Sequence, residues 1–428
     1  MSDNSMQSNS VQSYEHLAPS RAVKIRQRFV PFVVMAVVLL LIPFFDPSRT
    51  MYSLTAAMGI NIVFALSYNM LLGRGGLLSF GHAVYFGLGG YAALHAMNAI
   101  DAGNSAFWSN YPVFMLPVVG FAVGALAGAV IGWPSCKRSG VPFAMISLGV
   151  AELVAAAGYM FGSIFGGEMG VTGDRMVGPQ AFGLSMGPVE DVYWFIAFWT
   201  FVGTLGIYAF TRTPLGKMSE ATRDNPERVQ FVGYDPNRVR YLVFIFAGAF
   251  AGLAGGMSAV NYEIFTPESL SLVPSGLVLL MAYIGGIRYF TGPIMGAILL
   301  TYMQSMLSDY SEAWLLYLGL LFIAIVMYAP GGVAGMVFGL LEIFRHGGAR
   351  ETLIRRVQQA VGVALAFTGL VILIEVAVRW SNGYGEVFEP FGLHLGIDTP
   401  LSWILILGFF GAGFVTLRLA RNNEEGHA

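Results

Sequence analysis

Charge is what this sequence has least of. Only 11% of its 428 residues are Asp, Glu, Lys or Arg, against about a quarter in an ordinary soluble domain, which excludes a soluble surface over most of the chain. The 23 basic and 25 acidic residues nearly cancel, so no bulk attraction to nucleic acid is expected. The single cysteine, Cys136, excludes an internal disulfide, and spacing offers no metal site. Cys136 reads as a small buried residue near a span end. No Gly-x-x-x-x-Gly-Lys-Ser/Thr loop occurs, so the chain is not expected to bind ATP through such a loop. His-Glu-x-x-His and Gly-x-Ser-x-Gly are absent too, and no paired acids or metal ligands share one depth, which argues against a membrane enzyme. No chain of acids crosses the apolar segments, which argues against an ion-coupled secondary transporter.

What remains is apolar. Hydrophobic residues make up 56% of the chain and the mean hydropathy is +0.65, the profile of an all-α integral membrane protein, a polytopic helical bundle. Residues 1–28 read as a disordered cytoplasmic tail, polar at first and ending in Arg21, Lys24, Arg26 and Arg28. The apolar run that follows is too long for a signal peptide and lacks a cleavage site, so it reads as a first span. Apolar segments at 29–45, 52–72, 78–98, 112–133, 141–161, 191–211, 240–260, 270–287, 292–308, 313–329, 360–379 and 401–418 give about twelve spans, with 331–344 left as an interfacial or re-entrant helix. Starting inside, this alternation puts every basic residue except Arg49, Arg175 and Arg379 on the cytoplasmic side, as the positive-inside rule requires. Both termini are then cytoplasmic.

Three features stand out within that frame. The polar run 212–240 carries Arg212, Lys217, Arg223, Arg228, Arg238 and Arg240 beside Glu220, Asp224, Glu227 and Asp235; it cannot bury a core of its own and reads as a cytoplasmic docking surface. The 54 glycines include two stripes at every fourth residue, Gly120 to Gly132 and Gly248 to Gly256, a spacing that lets helix backbones approach closely in lipid. Two segments look broken, 71–91 with Ser79 and His82 among glycines, and 281–298 with Gly285-Gly286 and Gly292-Pro293. Irregular backbone at membrane depth survives only where protein or water satisfies it, and such a pair points to a transport path. Asn69, Ser79, His82 and Tyr91 are therefore candidates for lining that path.

The few ionisable residues inside spans each have two readings. Glu152 looks like the most buried acid, and is either functional, a further candidate for the translocation path, or a structural side chain bonded to a neighbouring helix. Glu375 lies four residues before Arg379, a favourable helical pair near the outer rim. His82 and His95 are either proton carriers or holders of backbone groups in polar turns.

The run LSYNMLLGRGGLLSFGHAVYFGLGGYAA (66–93) resembles the signature of permeases from branched-chain amino acid ABC importers, the Liv-type family that also includes urea and amide permeases. Asn69, Gly73, Ser79, Gly81, His82, Phe86, Gly87 and Tyr91 fall in register with it. VPFAMISLGVAEL (141–153), EMGVTGD (168–174), the segment 219–257, MAYIGGIRYFTGPIMGAIL and VMYAPGGVAG resemble further motifs in order, over about residues 50–340. The resemblance implies a transmembrane half-pore spanning 29–344. It would pair with a second homologous permease subunit, two cytoplasmic ATPase subunits and a periplasmic binding protein in a bacterial inner membrane. ATP and Mg would sit on the partners, with no cofactor on this chain. Glu220, Ala221, Arg223, Asn225 and Gly233 fall in the family's coupling segment, which meets the ATPase, and the outer loop 162–190 would help receive the binding protein. The implied solute is a branched-chain or related amino acid, or alternatively urea or a short-chain amide. Two departures follow: Pro226 inside the coupling segment starts or breaks a helical turn, and residues 345–428 form an extension with two further spans.

Overall fold

The structure, a computed structural model, describes residues 35–41, 48–103, 105–310, 313–329, 331–345, 367–378 and 400–425, with isolated positions at 32, 43, 362 and 365. The tail 1–28, residues 29–31, 33–34, 42 and 44–45 of the expected span 29–45, and the extension's residues 346–361 and 379–399 lie outside the described residues. The described part is mostly helical and forms two compact units that divide between Ser275 and Gly276.

The first unit runs through α1 (Arg49–Asn69), α2 (Ala83–Asp101), α3 (Leu116–Ser135), α4 (Val141–Met160), α5 (Val189–Arg212), the short α6 (Pro214–Asp224) and α7 (Pro226–Phe231), and α8 (Pro236–Tyr262). Among the described residues five helices are long and apolar enough to cross a membrane, or six if a bent pair in the second unit counts as one. The chain is thus a multi-pass membrane protein. Several of the other expected spans are shorter or interrupted helices, which length and composition alone do not register as crossings.

The two glycine stripes meet each other. A Cβ built on Gly124 would fall 2.9 Å from the Cα of Gly252, and one on Gly256 would fall 2.7 Å from the Cα of Pro117. On the other side, a Cβ at Gly89 of α2 would come within 2.5 Å of the same Gly252 Cα. Lipid is as apolar as any side chain, so helices gain little by hiding leucine from it, and contact between bare backbones drives association instead. Cys136, just past α3, is 1% exposed; burial pushes its thiol up to about 12 against the opposing pull of the Arg240 guanidinium. It is the inert structural residue its position suggests.

Outside the bundle, strands β1 (Val171–Thr172) and β2 (Ile264–Phe265) pair antiparallel, Val171 opposite Phe265. Arg175 fixes this loop to the end of α8: its backbone N–H donates to Glu263 Oε1 at 2.8 Å, and its guanidinium donates to the carbonyls of Met186 and Asn261. His95 donates from Nε2 to the Ile164 carbonyl at 2.7 Å, as a holder of backbone groups does.

The second unit begins within α9 (Leu272–Gly285) and continues with α10 (Gly292–Tyr310), α11 (Trp314–Tyr328), α12 (Gly332–Arg345), α13 (Phe367–Val378) and α14 (Pro400–Glu425). The break between α9 and α10 is closed by backbone against backbone: a Cβ at Gly332 would lie 2.6 Å from the Cα of Gly286. α11 and α12 meet at a bend of 52°, which fits a broken span or a re-entrant helix. In the extension, Ile372 and Val376 pack on Ile406. Glu375 is 5% exposed and accepts a 2.7 Å hydrogen bond from the Tyr317 hydroxyl of α11; its expected helical partner Arg379 lies outside the described residues. This bond ties the extension to the last long helix before it. Tyr317→Phe is expected to cost about 1 kcal/mol, the scale of an interhelical hydrogen bond in a membrane protein, read as a lower unfolding temperature of the purified protein in detergent.

Candidate translocation and coupling site

The first break is built by the end of α1. After Asn69 the chain widens into one π-helical turn, Met70–Arg74, and then runs without helix until α2. Backbone groups freed there are met by side chains from other helices: Ser147 of α4 accepts from the Phe80 N–H and Ser275 from the Ala83 N–H, both at 3.0 Å. That is the condition for irregular backbone at membrane depth.

His82 sits at the turn into α2, fully buried, its ring stacked on Phe64 at 5.6 Å and edged by Tyr68 and Tyr85. The Ser67 hydroxyl donates to the Phe64 carbonyl at 2.7 Å. Its oxygen must therefore accept at the 2.9 Å contact with His82 Nε2, which puts the imidazole proton on Nε2. His82 Nδ1 and Asn69 Oδ1 are buried with no partner among the described residues. Ser79 is buried and accepts from the Gly81 N–H at 3.4 Å. Tyr91 is buried between Phe165 and Phe265, its hydroxyl without a partner among the described residues. The break thus gathers Asn69, Ser79 and His82, with Tyr91 farther along α2.

Glu152 stands apart and corrects the expectation made for it. It is exposed on the surface of the unit, not buried. α4 is apolar around its whole circumference, so hydrophobicity did not mark its inner side. The small residues do: Ala144, Ser147, Ala151, Ala155 and Gly158 face inward, and Glu152 lies about 100° round from Ala151.

The coupling segment folds into two short helices. Thr213 caps α6 by accepting from the Gly216 N–H, and Asn225 caps α7 by accepting from the Arg228 N–H. Pro226 occupies the first turn of α7, where its missing N–H costs nothing, so it starts a helix. Gly233 ends α7 with φ +91°; the Tyr234 N–H returns to the Val229 carbonyl at 3.1 Å, a closure that favours glycine. Ala221 is half-buried along α6.

Two side chains carry α6 back to the break. Glu220 forms an ion pair with Arg74, the last residue of the π turn. Arg223 donates from Nη1 to the Gly73 carbonyl, one of the orphan acceptors at the C-terminal end of α1, where positive charge is also favoured by the helix dipole. Gly76 makes room: a Cβ there would fall 2.7 Å from Arg223 Cγ. The sequence reading missed the partners Ser67, Arg74 and Gly73. It missed as well a protruding apolar group beyond α7, Phe231, Val232 and Tyr234, of which Phe231 is 89% exposed. Hydrophobic residues in a charged loop were the available signal.

Residues 50–331 match the family described as branched-chain amino acid transport system, permease component. The chain belongs to that family. The permease is 26% identical over 340 residues to the high-affinity branched-chain amino acid transport system permease protein LivM of Escherichia coli (strain K12), covering 74% of this chain and 78% of that protein. LivM of Salmonella typhimurium is likewise 26% identical, with coverage of 70% and 73%. The companion LivH of E. coli K12 is 23% identical, over 63% of this chain and 90% of its own length. No solved structure matches the permease significantly. Both broken segments and the whole coupling segment fall inside the matched residues; α13 and α14 fall outside them.

Proposed function

We propose that this permease is one transmembrane subunit of an ATP-driven importer of branched-chain amino acids in a bacterial inner membrane, with both termini cytoplasmic and about twelve spans. Its match to both LivM and LivH supports pairing with a second, homologous permease subunit. Two cytoplasmic ATPase subunits would supply ATP hydrolysis, holding ATP and Mg that this chain does not, and a periplasmic binding protein would deliver the solute to the loop that Arg175 organises. The observation that carries this reading is the family match over residues 50–331, read together with α6. An ATPase docked on the Phe231 group and on α6 would push, through Glu220 and Arg223, on the break that holds His82. Rigid-body rocking of that kind is a standard route from partner closure to pore opening.

Uptake of labelled leucine by cells with and without the gene, with excess unlabelled urea as competitor, tests it. Loss of leucine uptake on deletion, restored by the gene and indifferent to urea, is expected. Unchanged leucine uptake would overturn the assignment, and urea-sensitive uptake would move it to amides.

A further inference from the structure

Glu152 and Glu375 are both carboxylates set within apolar helices, and they are treated oppositely. Glu375 is buried on the Tyr317 hydroxyl. Glu152, twelfth of the 20 residues of α4, is exposed and makes no hydrogen bond or ion pair with the described residues. A carboxylate in mid-span facing acyl chains is strongly disfavoured; such residues face protein or water-filled cavities instead. The rest of that face agrees. Gly149 has open space beside it, with nothing within 4 Å of a built Cβ, and Ala156 is exposed one turn beyond Glu152. Bulky apolar residues flank it on the same helix, Met145 at 69% and Leu153 at 70% exposure, so the carboxylate is the one charged group on an otherwise apolar open face.

One helical turn before Glu152 begins an open cavity of about 440 Å³ whose walls are almost wholly apolar, formed by Gly76, Leu78 and Phe80 of the break, by Gly140, and by Val141, Ala144, Met145 and Leu148 of α4. A volume of that size suits a small ligand. Leu148 and Glu152 are four residues apart, on one face and one turn of about 5.4 Å from each other. Helical side chains lean toward the helix N-terminus, which brings the carboxylate toward the cavity rim.

The geometry points to a solute site in this subunit: the Glu152 carboxylate takes the ammonium group of a free amino acid while Leu78, Phe80, Met145 and Leu148 receive its branched aliphatic side chain. This rests on the importer reading above and adds to it that the permease itself, and not only a delivering protein, selects a cationic group joined to an apolar one. Urea has neither. The site also joins the two halves of the machinery, since Gly76 and Leu78 belong to the break that Arg223 and Glu220 hold from α6.

The test is leucine uptake by the complete transporter carrying Glu152→Gln, which keeps the shape and removes the charge. Maximal uptake is expected to fall about tenfold or more, the scale of one charge-assisted hydrogen bond, while ATP hydrolysis and co-purification of the partner subunits persist. Met145→Gln, at a 69% exposed position where folding is not at stake, is expected to lower leucine uptake severalfold by making the cavity polar. Undiminished uptake in both variants would overturn the site and leave the importer standing, because wild-type uptake in the same cells reports on that separately. Loss of the second permease subunit from purified Glu152→Gln would also overturn it, showing an intersubunit ion pair in place of a solute contact.

Discussion

Arg223→Ala is expected to cut leucine uptake at least tenfold while the protein still inserts, still assembles and still supports ATP hydrolysis. The expectation comes from where the guanidinium is spent. Its bond to Asp224 is a surface pair between neighbours, 39% and 66% exposed, and such pairs contribute roughly 0.2–1 kcal/mol. Its bond to the Gly73 carbonyl satisfies an orphan acceptor at the end of α1, and a bond to a charged donor is worth about 1.5–3 kcal/mol. That energy is small against the stability of the bundle and decisive for a joint that must transmit force. Lys217→Ala provides the contrast: Lys217 pairs with Glu220 from a 53% exposed position and touches nothing at the break, so uptake should stay near wild type. Parallel assays of uptake and hydrolysis on the purified, reconstituted complex decide it. Coupled transport by Arg223→Ala at the wild-type rate would show that α6 drives the pore by another route.

The same region shows what the sequence could and could not disclose. A charged run between apolar segments is legible as cytoplasmic because lipid excludes charge, and Pro226 is legible as a helix boundary because its φ is fixed. That Arg223 turns back to Gly73 is not legible, since it depends on the π turn at Met70–Arg74 delivering a carbonyl to that spot. The break at 75–82 is announced by its Gly, Ser and His content, yet the serines that satisfy it, Ser147 and Ser275, lie 67 and 192 residues away from the groups they serve. Glu152 shows the limit most plainly. In a soluble helix polarity marks the outside; in α4 nearly every residue is apolar, and only the register of small residues separates the packed face from the open one. The span count suffers for a related reason, because a helix that stops at a break is shorter than a bilayer and reads as something else.

The glycine crossing yields the largest structural effect. Gly252→Leu is expected to abolish accumulation of folded protein. At this residue α8 is pressed from two sides: a built Cβ would lie 2.8 Å from the Cα of Gly124 on α3, while the bare Cα of Gly252 is itself the atom that a Cβ at Gly89 of α2 would meet at 2.5 Å. Overpacking a core usually costs about 1–3 kcal/mol because side chains shift to make room. Here the opposing atoms are backbone on both sides and no rotamer change relieves them, so whole helices must part, and contact between these helices is what lipid does not supply for itself. Gly319→Leu serves as the control, since nothing lies within 4 Å of a Cβ there, and it should accumulate normally. Size-exclusion profiles of fluorescently tagged variants in mild detergent give the answer. A monodisperse Gly252→Leu peak at wild-type height would mean that the crossing of α2, α3 and α8 is not what holds the first unit together.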